Sequence, residues 1–182
     1  MDTNRTRNAV TWARKLLARN PNSWTILDTE TTGLDNKAQA VQVSILNGAG
    51  DVLLNNVLIQ STLAIPADAI AVHHITNAML RDALDFPQVF ALIREAVQGT
   101  LLCIYNAQYD LRILTQSGRA HAMGVPFGIE GYTCAMLEYA KWVGDWDDYH
   151  CSFRWQKLQG GDHSSLADCR ATLDLIRRMA MG

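Results

Sequence analysis

Two carboxylates lie two residues apart beside an apolar segment of the sequence. Asp28 and Glu30 follow the apolar residues 24–27 and precede the turn residue Gly33. The apolar residues predict a buried strand, and side chains two apart on a strand point to the same face. Neighbouring carboxylates in a poorly solvated place repel each other, so one loses its charge unless a cation lies between them. A divalent metal ion is the simplest group that would compensate both.

Two further carboxylates and a histidine lie where a metal-dependent site could use them. Asp110 falls in the first turn of a predicted helix, and Asp168 falls in the first turn of the last predicted helix, after His163. Each also has an ordinary explanation, because the helix dipole favours an acidic side chain in a first turn. Ser165 and Asp168 likewise match a weak capping box. Taken singly, none of these residues identifies a site.

The elements that would position these side chains form an α/β pattern in a single domain. Alternation and short apolar segments predict five strands, at residues 24–27, 41–45, 52–59, 101–105 and 129–134. Apolar periodicity and capping residues predict helices at residues 5–19, 67–72, 87–98 and 166–179, one capped by Asn106, and one that ends near residue 142. A further short helix should begin at Thr76. The first three strands are expected to form an antiparallel meander.

The composition is that of one globular domain. The chain has 182 residues, of which 48% are hydrophobic and 19% charged, and this excludes a disordered chain. The net charge of −2 argues against a broad cationic surface that coats DNA. It is compatible with a small nucleic-acid site whose positive charge comes from bound metal.

The four cysteines indicate a reducing compartment. None forms a C-x-x-C pair, and their spacings fit no zinc template. Cys103 and Cys169 fall in apolar patterns, so both are expected to be core residues. We therefore expect a cytoplasmic protein. The sequence has neither an apolar signal segment nor a run long enough to span a membrane, so no membrane association is expected.

The separate motifs gain meaning as a set that occurs in one order along the chain. The set consists of Asp28-x-Glu30-Thr31-Thr32-Gly33, then Asn106-Ala107-Gln108-Tyr109-Asp110, then His163 followed by Asp168. This set resembles the DEDDh family of 3′–5′ exonucleases, the DnaQ-like nucleases related to the proofreading epsilon subunit of bacterial DNA polymerase III. Residues 73–76 resemble the His-Gly-Ile-Thr loop of that family, with His74 in place of the usual glycine.

The resemblance implies a fold and a chemistry. The fold would be ribonuclease H-like, with a mixed five-stranded sheet flanked by helices over residues 24–182. Two Mg²⁺ or Mn²⁺ ions would be bound by the four carboxylates, which are Asp28, Glu30, Asp110 and Asp168. His163 would be the general base, and the product would be a nucleoside 5′-monophosphate from the 3′ end. Hard cations of this kind take oxygen ligands.

The resemblance also implies contacts with the terminal nucleotide. The expected substrate-binding residues are Thr29, Thr31, Leu34, His73, Asn106 and Tyr109. The backbone at Thr29 and Thr31 should line the sugar, Leu34 should wedge against the last bases, and Asn106 should brace the site beside the scissile phosphate. Ordinary packing and capping explain Leu34, Asn106 and Tyr109 almost equally well.

Two segments have open interpretations. Residues 1–23 form an N-terminal helical extension whose apolar stripe favours packing on the domain, and the alternative is a basic arm on nucleic acid. Residues 139–155 are rich in aromatic side chains, namely Tyr139, Trp142, Trp146, Tyr149, Phe153 and Trp155. A small satellite core under a loop is favoured there. The alternative is a surface on which unpaired bases stack.

Three functions compete on the sequence alone. The leading hypothesis is a metal-dependent 3′–5′ exonuclease that acts on the 3′ end of single-stranded DNA. An RNA exonuclease of the oligoribonuclease or RNase T kind would use the same carboxylates and histidine. A non-catalytic polymerase-accessory module would have little use for a general base. A polymerase or another protein partner is possible, although no motif indicates one.

Overall fold

The first three strands form the antiparallel meander that the sequence predicts. The computed structural model describes residues 3–182, of which 3–5 by their backbone alone, so residues 1–2 of the N-terminal extension lie outside the described residues. Strand β1 (Trp24–Thr31) pairs antiparallel with β2 (Ala40–Asn47), and β2 pairs antiparallel with β3 (Val52–Gln60). β1 extends beyond its apolar start, so both carboxylates of the first motif lie on a strand.

The remaining strands complete a mixed sheet. A two-residue strand, β4 (Leu84–Asp85), pairs parallel with β3 at one edge. On the other side, β5 (Leu101–Ile104) pairs parallel with β1, and β6 (Gly131–Cys134) pairs parallel with β5. The order is β4-β3-β2-β1-β5-β6, which confirms the mixed α/β class and adds a sixth strand to the five that were predicted. Two residues are too few to show alternation, so the sequence gives no signal for β4.

Helices cover both faces of the sheet. They are α1 (Thr3–Leu17), α2 (Ala67–His73), α3 (Phe86–Val97), α4 (Ala107–Ala120), α5 (Ala135–Val143) and α6 (Ser165–Met181). Side chains of α3 and α4 pack with Leu27 of β1 on one face. Side chains of α1, α5 and α6 pack with Ile26 on the other. Alternate residues of β1 therefore face different helices.

Helix α1 packs on the domain through its apolar stripe. Ala9, Ala13 and Leu16 are buried in the same cluster as residues of α5 and α6. The indole N–H of Trp12 donates to the Thr133 hydroxyl at 3.0 Å, which ties α1 to β6. This stripe is therefore occupied by the core.

The short helix expected after Thr76 does not form, and that prediction was wrong. Residues 77–82 are turns. The Asn77 side chain accepts from the Ile65 N–H at 2.7 Å and donates to the Ile65 carbonyl at 3.1 Å. Asn77 thus bonds to a distant backbone and closes the connection after α2.

The aromatic-rich segment divides into a packed part and an exposed part. Tyr139 and Trp142 pack against the core under α1, α5 and α6. Two short strands, β7 (Trp146–Asp147) and β8 (Ser152–Phe153), form an antiparallel ribbon in which the Trp146 and Phe153 rings meet at 5.0 Å. Tyr149 and Trp155 are 89% and 70% exposed. Tyr139 and Trp142 therefore belong to the main core, and the separate contact expected of a satellite core is made by Trp146 and Phe153.

Among the described residues, no helix is both long and apolar enough to cross a membrane.

Candidate active site

Three of the four predicted carboxylates meet at the end of β1. Asp28 and Glu30 lie on the face of β1 that Ile26 directs toward α6, and Asp168 lies in the first turn of that helix. One carboxylate oxygen from each of the three acidic side chains lies within 4.8 Å of the others. The arrangement can supply several oxygen ligands to one hard cation.

The fourth carboxylate reaches the same place from α4. Asp110 is buried, with 4% of its surface exposed. Its Oδ1 accepts hydrogen bonds from the Thr29 N–H at 3.1 Å and from the Thr29 hydroxyl at 2.7 Å. Because Thr29 lies between Asp28 and Glu30, these bonds fix Asp110 against the carboxylate pair. The predicted set of four is thus brought together by β1, α4 and α6.

Without a cation, this cluster holds protons that carboxylates normally lose. Burial, and then repulsion from Asp110, Asp168 and Glu30, raise the pKa of Asp28 well above its usual value. Burial and neighbouring charges raise the pKa of Glu30 to about 8. Burial raises the pKa of Asp110 to about 7 against the opposing hydrogen bonds from Thr29. A positive charge at the cluster would reverse these shifts.

The residues present fit a divalent cation. Asp168 Oδ1 is buried and has no hydrogen-bond partner among the described residues. A buried carboxylate oxygen without a partner is costly, and a bound cation would remove that cost. The donors are all carboxylate oxygens, which suits Mg²⁺ or Mn²⁺ better than softer metals.

Gly161 contributes to the carboxylate cluster, and the sequence analysis did not identify it. A Cβ atom added at residue 161 would collide with the Asp168 carboxylate. The backbone of the loop before α6 can therefore reach this carboxylate only where no side chain is present. Gly-Gly at residues 160–161 was a weak signal, because such pairs usually mark only a turn.

His163 lies beside the cluster on an exposed loop. Its backbone has a φ of 61°, in the left-handed region. Burial raises the pKa of Asp168, while the charge of the nearby His163 lowers it. No hydrogen bond holds the imidazole among the described residues. The ring thus lies next to the carboxylates and makes no hydrogen bond that would fix its orientation.

Comparisons with known proteins identify the family to which the chain belongs. Residues 25–176 match the model of the exonuclease family, RNase_T. The chain belongs to this family of DnaQ-like exonucleases. The uncharacterized exonuclease CP81 of Escherichia phage 186 is 33% identical in an alignment of 171 residues that covers 86% of this exonuclease and 87% of the phage protein.

Other relatives agree over shorter stretches. DNA polymerase III subunit epsilon of Haemophilus influenzae is 33% identical in an alignment of 101 residues that covers 50% of this exonuclease and 40% of that subunit. The chain therefore spans less than half of the polymerase subunit that it matches. Among solved structures, exonuclease X in complex with 5′ overhanging duplex DNA has a TM-score of 0.57 and 25% identity, covering 87% of this chain and 93% of that one. Escherichia coli exonuclease I in complex with a dT13 oligonucleotide has a TM-score of 0.66 at 12% identity, over 85% of this chain and 40% of that one, which supports the fold alone.

His73 contacts the end of β1, the strand that carries two of the clustered carboxylates. It is buried, and its Nδ1 accepts from the Ile75 N–H at 3.1 Å, so Nε2 carries the proton and donates to the Thr31 carbonyl at 3.1 Å. Burial lowers its pKa, and the ring is held neutral. Both ring nitrogens are bonded within the protein, so His73 braces the end of β1.

Three side chains on one face of α4 hold the loop that carries Leu34. The Tyr109 hydroxyl donates to the Gly33 carbonyl at 2.9 Å, and it also lies 2.7 Å from the Thr31 hydroxyl. Arg112 donates to the carbonyls of residues 35 and 34 at 2.9 and 3.3 Å. Gln116 donates to the carbonyls of residues 38 and 35 at 2.7 and 3.2 Å. Because of these bonds, Leu34 is held in place although it is 81% exposed.

We expect Gln116→Ala to loosen this loop. The change leaves the buried carbonyl of Ala38 without its donor, so the free energy of unfolding should fall by about 1–3 kcal/mol. KM for a nucleic-acid substrate should rise severalfold with a smaller change in kcat, because Leu34 loses its fixed position. Urea denaturation and steady-state kinetics measure the two effects. Gln98→Ala, on the exposed end of α3, is the control that should change neither.

Asn106 precedes α4 at the N-cap position but makes no capping hydrogen bond with its side chain, contrary to the capping role expected from the sequence. The side chain instead lines an open groove beside the cluster. The structure therefore leaves this amide available for other contacts.

A buried polar network fixes the start of α6, which carries the last carboxylate. Asn56 Oδ1 accepts from the Leu166 N–H at 3.0 Å, and Gln42 Oε1 accepts from the Ser165 N–H at 3.1 Å. The hydroxyls of Ser44 and Ser165 are 2.8 Å apart. N–H groups in a first helical turn lack partners within the helix, and here β2 and β3 supply the acceptors. The sheet thus sets the position of the carboxylate on α6.

Substitutions at Asn56 should separate the cap from the backbone effect. Its φ of 46° is left-handed, a conformation that asparagine and glycine tolerate. Asn56→Gly removes only the acceptor and should lower the free energy of unfolding by about 1–2 kcal/mol. Asn56→Ala adds about 1–2 kcal/mol for the left-handed backbone. Urea denaturation measures both, and a glycine variant as stable as the wild type would contradict the capping role.

Proposed function

We propose that this exonuclease removes nucleotides from the 3′ end of single-stranded DNA in a metal-dependent reaction that releases nucleoside 5′-monophosphates. The observation that carries the proposal is the carboxylate cluster of Asp28, Glu30 and Asp168, with one buried oxygen that has no partner. Such a cluster is unfavourable without a cation, and phosphodiester hydrolysis is a reaction in which cations are effective.

The roles of the residues follow from their positions. Asp28, Glu30 and Asp168, with Asp110 beside them, would hold two Mg²⁺ or Mn²⁺ ions. Two such ions, when bound, stabilise the attacking and leaving oxygens of an in-line displacement at phosphorus. The chain's own contribution is to fix the carboxylates on a strand and two helices, so that little reorganisation is needed during the reaction.

His163 is the proposed general base. Its imidazole lies next to Asp168 and is not held by hydrogen bonds, so it can accept the proton of the attacking water. A histidine is suited to this task near neutral pH.

The terminal nucleotide is proposed to lie between β1 and the loop that carries Leu34. The exposed Leu34 side chain offers an apolar surface to the last bases, and Tyr109 and the backbone at Thr29 and Thr31 line the adjacent end of the strand. Bound cations would supply the positive charge that a chain with net charge −2 lacks. DNA is the favoured polymer because the structures of exonuclease X and exonuclease I to which this chain is similar are complexes with DNA.

The test uses matched 5′-labelled DNA and RNA oligonucleotides of one sequence. With Mn²⁺, the wild-type protein should convert the DNA to a ladder that shortens from the 3′ end, and a chelator should stop it. A ladder on RNA alone would assign the protein to exoribonucleases instead. Binding of either polymer without cleavage in Mn²⁺ or Mg²⁺ would contradict the catalytic proposal.

A further inference from the structure

An open groove leads away from the catalytic cluster along α4. It has a volume of 550 Å³ and lies between the start of α4, strand β6, the start of α5 and the segment after β8. Asn106 lies at one end of it, four residues before Asp110 on the same turn of chain. The groove therefore begins within one helical turn of Asp110, at the end of α4 that carries this carboxylate.

The walls of the groove are anchored to one residue next to the site. The Tyr105 carbonyl accepts from the Met136 N–H at 2.8 Å, which fixes the start of α5. The Tyr105 hydroxyl donates to the Gln156 carbonyl at 2.6 Å, which fixes the segment that carries Trp155. Because Tyr105 directly precedes Asn106, these two bonds fix the start of α5 and the segment that carries Trp155 relative to the first turn of α4.

The lining of the groove has the chemistry of a surface for single-stranded nucleic acid. Tyr132 and Trp155 are 61% and 70% exposed, and both line the groove. Arg112 and Arg119 are its charged residues, and no carboxylate lines it, although the chain carries more acidic than basic residues. Arg119 has no carboxylate partner in the described part of the chain. Exposed aromatic rings with interspersed cations are how proteins bind unpaired bases and their phosphates.

We propose that this groove binds the substrate strand upstream of the scissile bond, with bases stacked on Trp155 and Tyr132 and phosphates near Arg119. The proposal rests on the proposed exonuclease function and adds the path of the strand beyond the terminal nucleotides. A polyanion fits the groove better than an apolar peptide does, because two arginines and no acidic side chain line the groove, and Asn106 in its lining lies one helical turn from Asp110. The aromatic segment thus contributes Trp155 to substrate binding, while its other part packs in the core.

Length dependence tests the groove separately from the chemistry. Steady-state cleavage is measured on a four-nucleotide and a fifteen-nucleotide oligo(dT), since only the longer strand can fill the groove. Trp155→Ala should raise KM for the longer strand about tenfold, which is the effect of losing one stacked base. KM for the shorter strand should stay within about twofold of the wild-type value. Tyr132→Ala should give the same pattern and serves if the first variant does not fold. An unchanged KM on the longer strand, or equal changes on both, would overturn the proposal.

Tyr149→Ala is the matched control, because Tyr149 is 89% exposed and does not line the groove. It should change neither KM. Arg119→Ala should reduce the slope of log Kd against log salt by about 0.7, as expected when one contact to a single strand is lost.

Equilibrium binding distinguishes failure of the groove from failure of the proposed function. Fluorescence anisotropy of the longer strand is compared between Asp28→Asn and the double variant Asp28→Asn with Trp155→Ala, neither of which needs to cleave. Weaker binding by the double variant supports the groove even if the wild type proves inactive. Equal affinity overturns the groove even if the wild type is active.

Discussion

Replacing Asp28 with asparagine should abolish metal-dependent cleavage and at the same time stabilise the metal-free protein at alkaline pH. The loss of activity should be roughly thousandfold, because a metal ligand contributes several kcal/mol to the transition state. The gain in stability has a different cause. Asp28 lies at the centre of four carboxylates that repel one another, and asparagine keeps its size without its charge.

The pH dependence of this effect follows from the raised pKa values. Glu30, with a pKa of about 8, and Asp110, with a pKa of about 7, bind protons more tightly in the folded protein than in the unfolded chain. The metal-free protein should therefore lose stability as the pH rises from about 4.5, the usual pKa of such carboxyls, to about 8, the raised pKa of Glu30. Thermal unfolding in the presence of a chelator measures the loss, which should be smaller in Asp28→Asn. Asp174→Asn, at an exposed position of α6, is the control. A metal-free wild type that becomes more stable over this range would contradict the repulsion argument.

Replacing His163 with alanine should lower kcat by about 10²- to 10⁴-fold, the usual contribution of a general base. Binding of Mn²⁺ should stay within about twofold of the wild type, because the ligand atoms that lie close enough together to share one ion belong to Asp28, Glu30 and Asp168. Single-turnover cleavage and calorimetric titration measure the two quantities. His150→Ala, in the exposed turn between β7 and β8, should leave both unchanged. Equal losses of turnover and Mn²⁺ affinity would show that His163 is a ligand or a structural residue.

The parts of the site that depend on strand and helix geometry could be predicted from the sequence. The two-residue spacing of Asp28 and Glu30 fixes their common face on any strand, and the first turns of α4 and α6 place Asp110 and Asp168 close by. The family resemblance predicts from the sequence alone that these four carboxylates lie in one site. The mixed sheet followed in the same way, apart from the two-residue strand β4, which is too short to leave a pattern.

The supporting contacts could not be predicted in this way. Gln116 and Arg112 bind carbonyl groups of a loop whose path depends on its tertiary contacts, so their residue types gave no signal. The bonds from Asn56 to the start of α6 join residues 110 positions apart in the chain. The sequence does not distinguish Trp155 from the other aromatic residues of its segment. In the structure, its exposure and its position in the lining of the groove that Asn106 also lines distinguish it.

The most direct measurement of the central claim is the identity of the first product. The wild-type protein is incubated with 5′-labelled single-stranded DNA and Mn²⁺, and the released nucleotide is identified by chromatography, with chelator and with Asp28→Asn as controls. We expect the first product to be the 3′-terminal nucleotide, released as its nucleoside 5′-monophosphate. This product should be absent in both controls. Release of a nucleoside 3′-monophosphate or of internal fragments, or the same product in the presence of chelator, would contradict the account.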